Sequence, residues 1–292
     1  MTDQPSETST LNHAQDVERQ LIWHVAGQYE HLLNLGELWR YRELLRMLSI
    51  RDLKVQYRQA YVGIAWAMLQ PLVTMAIFTL LFGLLGRTPA DESVPYPIVA
   101  FCGLLPWFLF AGSVTKASAC LVTNQNLITK VYFPRAALPI AAIVTSFVDF
   151  LVGLALLILM MLWYQIVPPV QILVLPVFIL MTLLAAASLS LWLSAANGLY
   201  RDIGYIVPFL MQIGFYFSPV IYESGSLIPG RWQFLYQFNP MVGIIEGIRW
   251  SLLGHAAPPL QAIVISFIGL VLLTLGGMAY FRRVERHIAD RI

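Results

Sequence analysis

The sequence has little charge. Only 12% of its 292 residues are Asp, Glu, Lys or Arg, and 58% are hydrophobic, whereas a soluble domain of average composition has about 25% charged residues. The 13% of aromatic residues exclude an intrinsically disordered protein. A net charge of +2 is too small for a nucleic-acid-binding face, so we expect no nucleic-acid partner. The composition indicates an integral membrane protein.

Several reactive patterns are also missing. The two cysteines, Cys102 and Cys120, would lie about 27 Å apart on one helix, too far to form a disulfide. None of the three lysines lies in a G-x-x-x-x-G-K-[ST] loop, which excludes ATP binding by a phosphate loop on this chain. No His-Glu-x-x-His, Cys-x-x-Cys or G-x-S-x-G pattern occurs. We therefore predict no catalytic residues, no metal ligands and no cofactor on this chain.

Long apolar runs dominate the chain. A helix crosses the hydrocarbon core with about 20 mostly apolar residues. Six stretches meet that condition, and they are residues 60–86, 93–115, 137–164, 170–196, 203–222 and 260–281. Lys116 follows the second stretch, and Pro168-Pro169 separate the third from the fourth. We predict an all-α integral membrane protein with six transmembrane helices.

The distribution of basic residues gives the orientation. If the N-terminus is cytoplasmic, 15 of the 18 Lys and Arg residues lie in the segments that face the cytoplasm. By the positive-inside rule this places both termini of the multi-pass protein in the cytoplasm. Residues 1–20 are polar and contain no apolar core, so we expect no cleavable signal peptide.

A polar tail and an amphipathic segment precede the predicted spans. Residues 1–35 read as a polar cytoplasmic tail, and residues 36–292 as the membrane domain. Within residues 38–48 an apolar stripe recurs at helical spacing, formed by Leu38, Tyr41, Leu45 and Leu48. Such a helix lies in the membrane interface and contacts lipids. The alternative is that its basic residues only fix the topology.

The region between spans five and six is apolar but interrupted. Residues 241–253 are too few to cross a membrane, and they include Glu246 and Arg249. We predict that residues 223–259 form an ordered extracytoplasmic cap with short re-entrant or surface-lying helices. The alternative is an ordinary loop with some helix in it.

Asp149 is the one ionisable residue at mid-membrane depth in the predicted spans. Such residues are functional candidates, in this case for a conduction path or a gate. The alternative is a structural carboxyl group that faces another helix and is hydrogen-bonded by Thr145 or Ser146 one turn earlier.

Several long segments resemble one family. Residues 48–72, 126–135 and 200–221, the Asn239-Pro-Met motif, Glu246-Gly, Arg249-Trp and the ending at 286–292 resemble Wzm-like permeases, the transmembrane subunits of ABC exporters that move polysaccharides. The similarity extends from about residue 35 to residue 292.

The resemblance implies a homodimer that works with two copies of a separate, Wzt-like ABC ATPase, which would bind ATP and Mg. It implies a lipid-linked O-antigen, capsule or teichoic-acid polymer as substrate, taken from the cytoplasmic side of the bacterial inner membrane. Residues 116–135 would contain the helix that couples to the ATPase, with Asn124, Gln125, Lys130 and Arg135 as candidates. The cap would correspond to outer gate helices, with Glu246 and Arg249 as gate residues.

Two helix faces are candidates for the channel wall. Tyr205, Phe209, Gln212 and Tyr216 share one face of span five, and Gly63, Trp66 and Gln70 share one face of span one. Aromatic faces stack on sugar rings, and a glutamine at membrane depth is costly unless it faces protein or water. We predict that both faces line a channel at the homodimer interface. The alternative is helix packing with interfacial aromatic belts.

Other functions stay open at this point. An ABC permease of similar build could export a drug or a lipid. A membrane-embedded transferase for lipid-linked sugars would need clustered acids, bases or metal ligands, and a proton-coupled carrier would need more than one carboxylate.

Overall fold

The computed structural model describes residues 35–58, 64–85, 94–131, 133–222, 236–254 and 260–288. These ranges contain α-helices and no β-strand, which confirms the all-α prediction. The helices are α1 (Leu35–Arg40), α2 (Arg42–Arg58), α3 (Ile64–Leu84), α4 (Tyr96–Thr123), α5 (Gln125–Ile128), α6 (Ala137–Trp163), α7 (Leu175–Leu199), α8 (Ile203–Tyr216), α9 (Pro240–Leu253) and α10 (Leu260–Ile288), and a 3₁₀ turn (Val170–Val174) precedes α7.

Among the described residues, four segments are long and apolar enough to cross a membrane. They are Tyr96–Thr123, Ala137–Trp163, Val170–Leu199 and Leu260–Val284, and they correspond to predicted spans two, three, four and six. The apolar part of α3 whose side chains are described, Met68–Leu84, and the helix Ile203–Tyr216 are each shorter than 18 residues. Crossing by spans one and five therefore stays a prediction, while the chain as a whole is a multi-pass membrane protein.

Several helix ends differ from the predicted ones, and those of spans two and five have a clear physical reason. The helix of span two continues past residue 115 to Thr123, because a lysine does not interrupt helical hydrogen bonding and Lys116 has an acidic partner, Asp149. The helix of span five ends at Tyr216, six residues before the predicted end at 222. Pro219 explains this early end, since proline disfavours the helical conformation of the residue before it.

The central helix of the bundle is α4. In the apolar stretch of this helix 78% of the residues are buried, whereas the corresponding share is 22–39% in the other three long segments. Its fully buried side chains include Phe101, Leu104 and Leu109, which share one core with Ile244 and Ile245 of α9. The helices α3, α6, α7, α8 and α9 all pack against α4, and α10 packs on α7 and α9.

A second apolar cluster lies at the end of the bundle where α4 ends and α6 begins, which we call the connector end. Leu48 of α2 meets Leu121 of α4, Leu138 of α6 and Phe281 of α10 there. The predicted helix at 38–48 is present as parts of α1 and α2, with a break at Tyr41, and part of its apolar stripe packs on protein; its location in the membrane interface stays a prediction. Tyr41 and Leu45 also face this cluster, whereas Leu38 lies outside the residues whose side chains are described.

The predicted short helix at 241–253 is present as α9. It does not lie on the surface, because ten of its 14 residues are buried, and it packs against α4, α7 and α10. The rest of the predicted cap, residues 223–235 and 255–259, lies outside the described residues, as do the tail and Gly63.

Candidate functional site

A cleft with a volume of about 470 Å³ opens between α3, α4, α6 and α8. One group of its lining residues is aromatic and consists of Trp107, Phe108, Phe150, Phe215 and Tyr216. A second group is polar and consists of Gln70, Thr115, Lys116, Ser146, Asp149 and Gln212. Such walls offer flat apolar surfaces and several hydrogen-bonding groups to one ligand.

The aromatic wall is held by edge-on ring contacts. The rings of Trp107 and Phe215 lie 6.1 Å apart, and those of Phe215 and Tyr216 lie 5.3 Å apart, both in edge geometry. Ser146 also lines the cleft, and its hydroxyl is buried and has no hydrogen-bond partner among the described residues.

At one side of the cleft Asp149 is the centre of a polar cluster, which we call the Asp149 cluster. Lys116 Nζ lies 3.1 Å from Asp149 Oδ2, and Gln56 Nε2 lies 3.1 Å from each carboxylate oxygen. The Tyr57 hydroxyl donates to Oδ1, and Lys116 Nζ also donates to Gln56 Oε1 at 3.1 Å. Three helices, α2, α4 and α6, thus meet at one carboxylate.

This geometry keeps Tyr57 a hydrogen-bond donor. Burial raises the pKa of the Tyr57 hydroxyl above its ordinary value, and the hydrogen bond to Asp149 and the charge of that residue raise it further. The ammonium of Lys116 in turn lowers the cost of a carboxylate within an apolar bundle. Neither Thr145 nor Ser146 is a partner of Asp149, because the Thr145 hydroxyl donates to the Ala142 carbonyl of its own helix (2.7 Å) and the Ser146 hydroxyl has no partner in the described part of the chain.

The predicted channel residues fall into three groups. Gln70, Gln212 and Tyr216 line the cleft. Tyr205 and Phe209 are 85% and 61% exposed on the outside of α8. The side chain of Trp66 lies outside the described residues. Since Val207 is the only buried residue of α8, most of that helix has no protein cover within the described part of one chain.

The predicted coupling residues lie at the connector end. Asn124 separates α4 from α5, and its Oδ1 accepts a hydrogen bond from Arg51 Nη2 at 2.8 Å. Gln125 begins α5, Lys130 is exposed, and Arg135 lies half-buried in the turn before α6. We call residues 124–135, which contain the four predicted coupling residues, the coupling segment. The helix α2 therefore touches both the coupling segment and the Asp149 cluster.

The predicted gate residues lie on α9 beside an irregular segment, residues 217–222. Arg249 is buried, and its guanidinium donates to the carbonyls of Tyr222 (2.7 Å), Val99 (3.3 Å) and Val220. Glu246 lies half-buried one turn earlier. Non-helical backbone at membrane depth is tolerated only where its polar groups are satisfied, and Arg249 satisfies two carbonyls of this segment.

Two more side chains hold the same segment. The Tyr96 hydroxyl donates to the Ile221 carbonyl at 2.8 Å. Asn239 Nδ2 donates to the Phe217 carbonyl (3.1 Å) and to the Ser218 hydroxyl (2.9 Å), while its Oδ1 caps α9 by accepting from the Met241 amide (3.0 Å). The irregular segment is therefore fixed by polar side chains of α4 and of the start and middle of α9.

The sequence did not reveal the partners of Asp149. Gln56 and Tyr57 lie more than 90 residues away in the chain, and no spacing rule relates them to α6. One indication was available, because a lone carboxylate in an apolar helix requires a cation, and Lys116 is the lysine nearest to the predicted spans.

A bundle of apolar helices around a cleft with aromatic and polar walls is typical of a membrane transport protein. The chain belongs to the ABC-2 type transporter family, whose model matches residues 43–253. This confirms the identification as an ABC permease: the chain is the membrane subunit of a transporter and not an enzyme.

Three relatives illustrate the similarity. The O-antigen export system permease protein RfbA of Myxococcus xanthus is 30% identical over 252 residues, which cover 85% of this chain and 95% of that protein. An RfbA of Klebsiella pneumoniae is 27% identical over 258 residues, or 88% and 96% of the two chains. The polysialic acid transport protein KpsM of Escherichia coli is 24% identical over 248 residues, or 82% and 92%.

Proposed function

We propose that this chain is the permease subunit of an ATP-driven exporter that moves lipid-linked polysaccharide out of the cytoplasm across the bacterial inner membrane. Relatives that match along nearly their whole length are named for O-antigen export and polysialic acid transport. Both named cargoes are carbohydrate polymers, which favours a polysaccharide over a drug or a simple lipid as the cargo of this chain.

The composition of the cleft carries the proposal. A moving glycan needs surfaces that bind sugar rings weakly and hydrogen-bonding groups that exchange quickly. Trp107, Phe215 and Tyr216 supply aromatic surface, while Gln70 and Gln212 supply amides.

A homodimer would complete the path. The exposed face of α8, with Tyr205 and Phe209, lies next to the cleft residues Gln212 and Tyr216 on the same helix. A second copy placed against this face would cover its aromatic side chains and enclose a channel between the two protomers.

The energy would come from two copies of a separate ABC ATPase, which bind ATP and Mg. When the two ATPase subunits close around bound ATP, they would move the coupling segment, which contains Asn124, Gln125, Lys130 and Arg135. The coupling segment would transmit that movement to the membrane helices. At the other end of the channel, Glu246 and Arg249 of α9 would belong to the outer gate, because Arg249 holds the irregular segment after α8.

The test is polymer export by the complex with its ATPase reconstituted in vesicles. Phe209→Ala and Tyr216→Ala should reduce export, because each removes a ring from the proposed path, while ATP hydrolysis continues. Phe267→Ala is the matched control, since Phe267 is 53% exposed on α10, away from the cleft, and export should be unchanged. Full export by the two α8 variants would refute the proposed path.

A further inference from the structure

The helix α2 has two polar contacts that connect different parts of the molecule. Arg51 Nη2 donates to Asn124 in the coupling segment (2.8 Å). Gln56 and Tyr57, about 8 Å further along the same helix, donate to Asp149 at the wall of the cleft. A single rigid element therefore touches both the segment proposed to meet the ATPase and the polar wall of the cleft.

The two contact points on α2, at Arg51 and at Gln56 and Tyr57, cannot move independently. The helix packs directly against α6, and Leu48 anchors it in the apolar cluster at the connector end. A displacement of Asn124 would therefore shift or rotate α2 as a unit around Leu48. Hydrogen bonds weaken steeply with small changes of distance and angle, so such a shift would disrupt the contacts of Gln56 and Tyr57 with Asp149.

Loss of those contacts would change what the cleft offers to a ligand. Both Lys116 and Asp149 line the cleft, yet in this structure the carboxylate is occupied by Gln56, Tyr57 and Lys116. A carboxylate that loses two of its donors needs replacements. Hydroxyl groups of a sugar in the cleft would supply them, since hydroxyls donate well to carboxylates.

We propose that Gln56 and Tyr57 are positioning residues that switch Asp149 between two partners, the helix α2 and the hydroxyl groups of a sugar in the cleft. Contact between the coupling segment and Arg51 sets the switch. That the ligand is a sugar rests on the proposed function. The link between the coupling segment and the cleft depends only on contacts within the chain. By linkage, ligand in the cleft would act back on the coupling segment with the same free energy.

The first experiment measures the link without any cargo. In the complex with its ATPase, Thr115→Cys places a thiol in the cleft wall next to Lys116, and the two native cysteines are buried. The rate of labelling by a charged thiol reagent is compared between the nucleotide-free and the ATP-trapped complex. We expect trapping to change this rate several-fold with Tyr57 present and to leave it unchanged in the Tyr57→Phe background.

Tyr57→Phe removes one hydroxyl and keeps the ring, so the fold should be retained, and a melting temperature verifies this. Tyr200→Phe is the matched control, because Tyr200 is 65% exposed at the end of α7, and it should leave the response to nucleotide intact. Arg51→Met should abolish the response as Tyr57→Phe does. Lys54→Met, an exposed position on the same helix, should not.

The second experiment measures polymer exported per ATP hydrolysed. Tyr57→Phe and Gln56→Leu should lower this ratio several-fold while hydrolysis continues, which a merely destabilised protein would not do. A change of labelling rate that is equal with and without the Tyr57→Phe substitution would overturn the link, whatever the cargo is. A complex with Tyr57 intact that shows the labelling change but exports no polysaccharide would instead refute the proposed function and leave the link standing.

Discussion

The guanidinium of Arg249 occupies the space next to Gly103 into which any side chain there would project. A Cβ atom on Gly103 would lie 2.6 Å from Arg249 Nη2 and 2.1 Å from the Val220 carbonyl oxygen. The lack of a side chain at this position of α4 therefore lets the irregular segment and Arg249 approach the central helix. Sequence separation hides this relationship, since α4 and α9 are about 150 residues apart.

Gly103→Ala tests this approach. Because the Cβ atom would overlap a backbone oxygen, the irregular segment must move, and overpacking of this kind costs about 1–3 kcal/mol. The melting temperature of the purified protein should fall. Gly83→Ala on α3 is the control, because a Cβ atom there would meet nothing within 4 Å; an equal loss in both variants would contradict the explanation.

Arg249→Lys tests the geometry of the guanidinium. A lysine keeps the charge, but its compact ammonium cannot reproduce the planar fork that reaches the Val99, Val220 and Tyr222 carbonyls. Each buried acceptor left without a donor costs about 1–3 kcal/mol. We expect a lower melting temperature, while Arg201→Met, at an exposed position, should behave as wild type. An unchanged melting temperature in Arg249→Lys would show that charge alone suffices.

Two variants of Asn239 separate its two roles. Asn239→Ser keeps an oxygen that can cap α9 but cannot reach the Phe217 carbonyl, whereas Asn239→Ala loses both contacts. The free energies of unfolding of the two variants should differ by the contribution of a helix cap, about 1 kcal/mol. The difference in the same free energy between Asn239→Ser and wild type should report the contact with the irregular segment. Equal thermal stability of Asn239→Ser and wild type would mean that this contact contributes nothing.

Lys130→Met tests the coupling segment. Lys130 is exposed at the connector end, so its loss should change stability by less than about 0.5 kcal/mol and leave membrane insertion intact. If the residue contacts the ATPase, export should fall while hydrolysis continues. A variant that fails only in membrane insertion would contradict a coupling role.

The long apolar runs were sufficient to predict the helices of spans two, three, four and six, because about 20 apolar residues in succession favour one structure in a membrane. Asn239-Pro240 and the apolar run after it likewise predicted α9. The ends of helices were less predictable. Lys116 looked like a boundary because its partner Asp149 lies on another helix, and pairing between helices leaves no periodic pattern in the sequence.

Only part of the cleft could be predicted, because a periodic pattern identifies a helix face but not the contacts between helices. Amphipathic spacing brought Gln212 and Tyr216 to one face of α8, and both line the cleft. The same spacing also selected Tyr205 and Phe209, which are exposed, because periodicity defines a face of a helix and not what covers it. Trp107 was missed as a lining residue, and Ser146 was considered only as a partner of Asp149, because the long apolar runs of their spans leave no periodic pattern that marks one face.

The sparse attachment of α8 affects the size of what could pass beside it. The helix buries only Val207 completely, and its further contacts to the bundle include the ring of Phe215 against Trp107 and the Gly204 amide bonded to Asn197. A helix with so few buried side chains depends little on the core around α4 for its position, so a second copy that covers it, as proposed, would set that position. The width of the proposed opening beside α8 would then be decided by the contact between the two protomers and not by the core of either one.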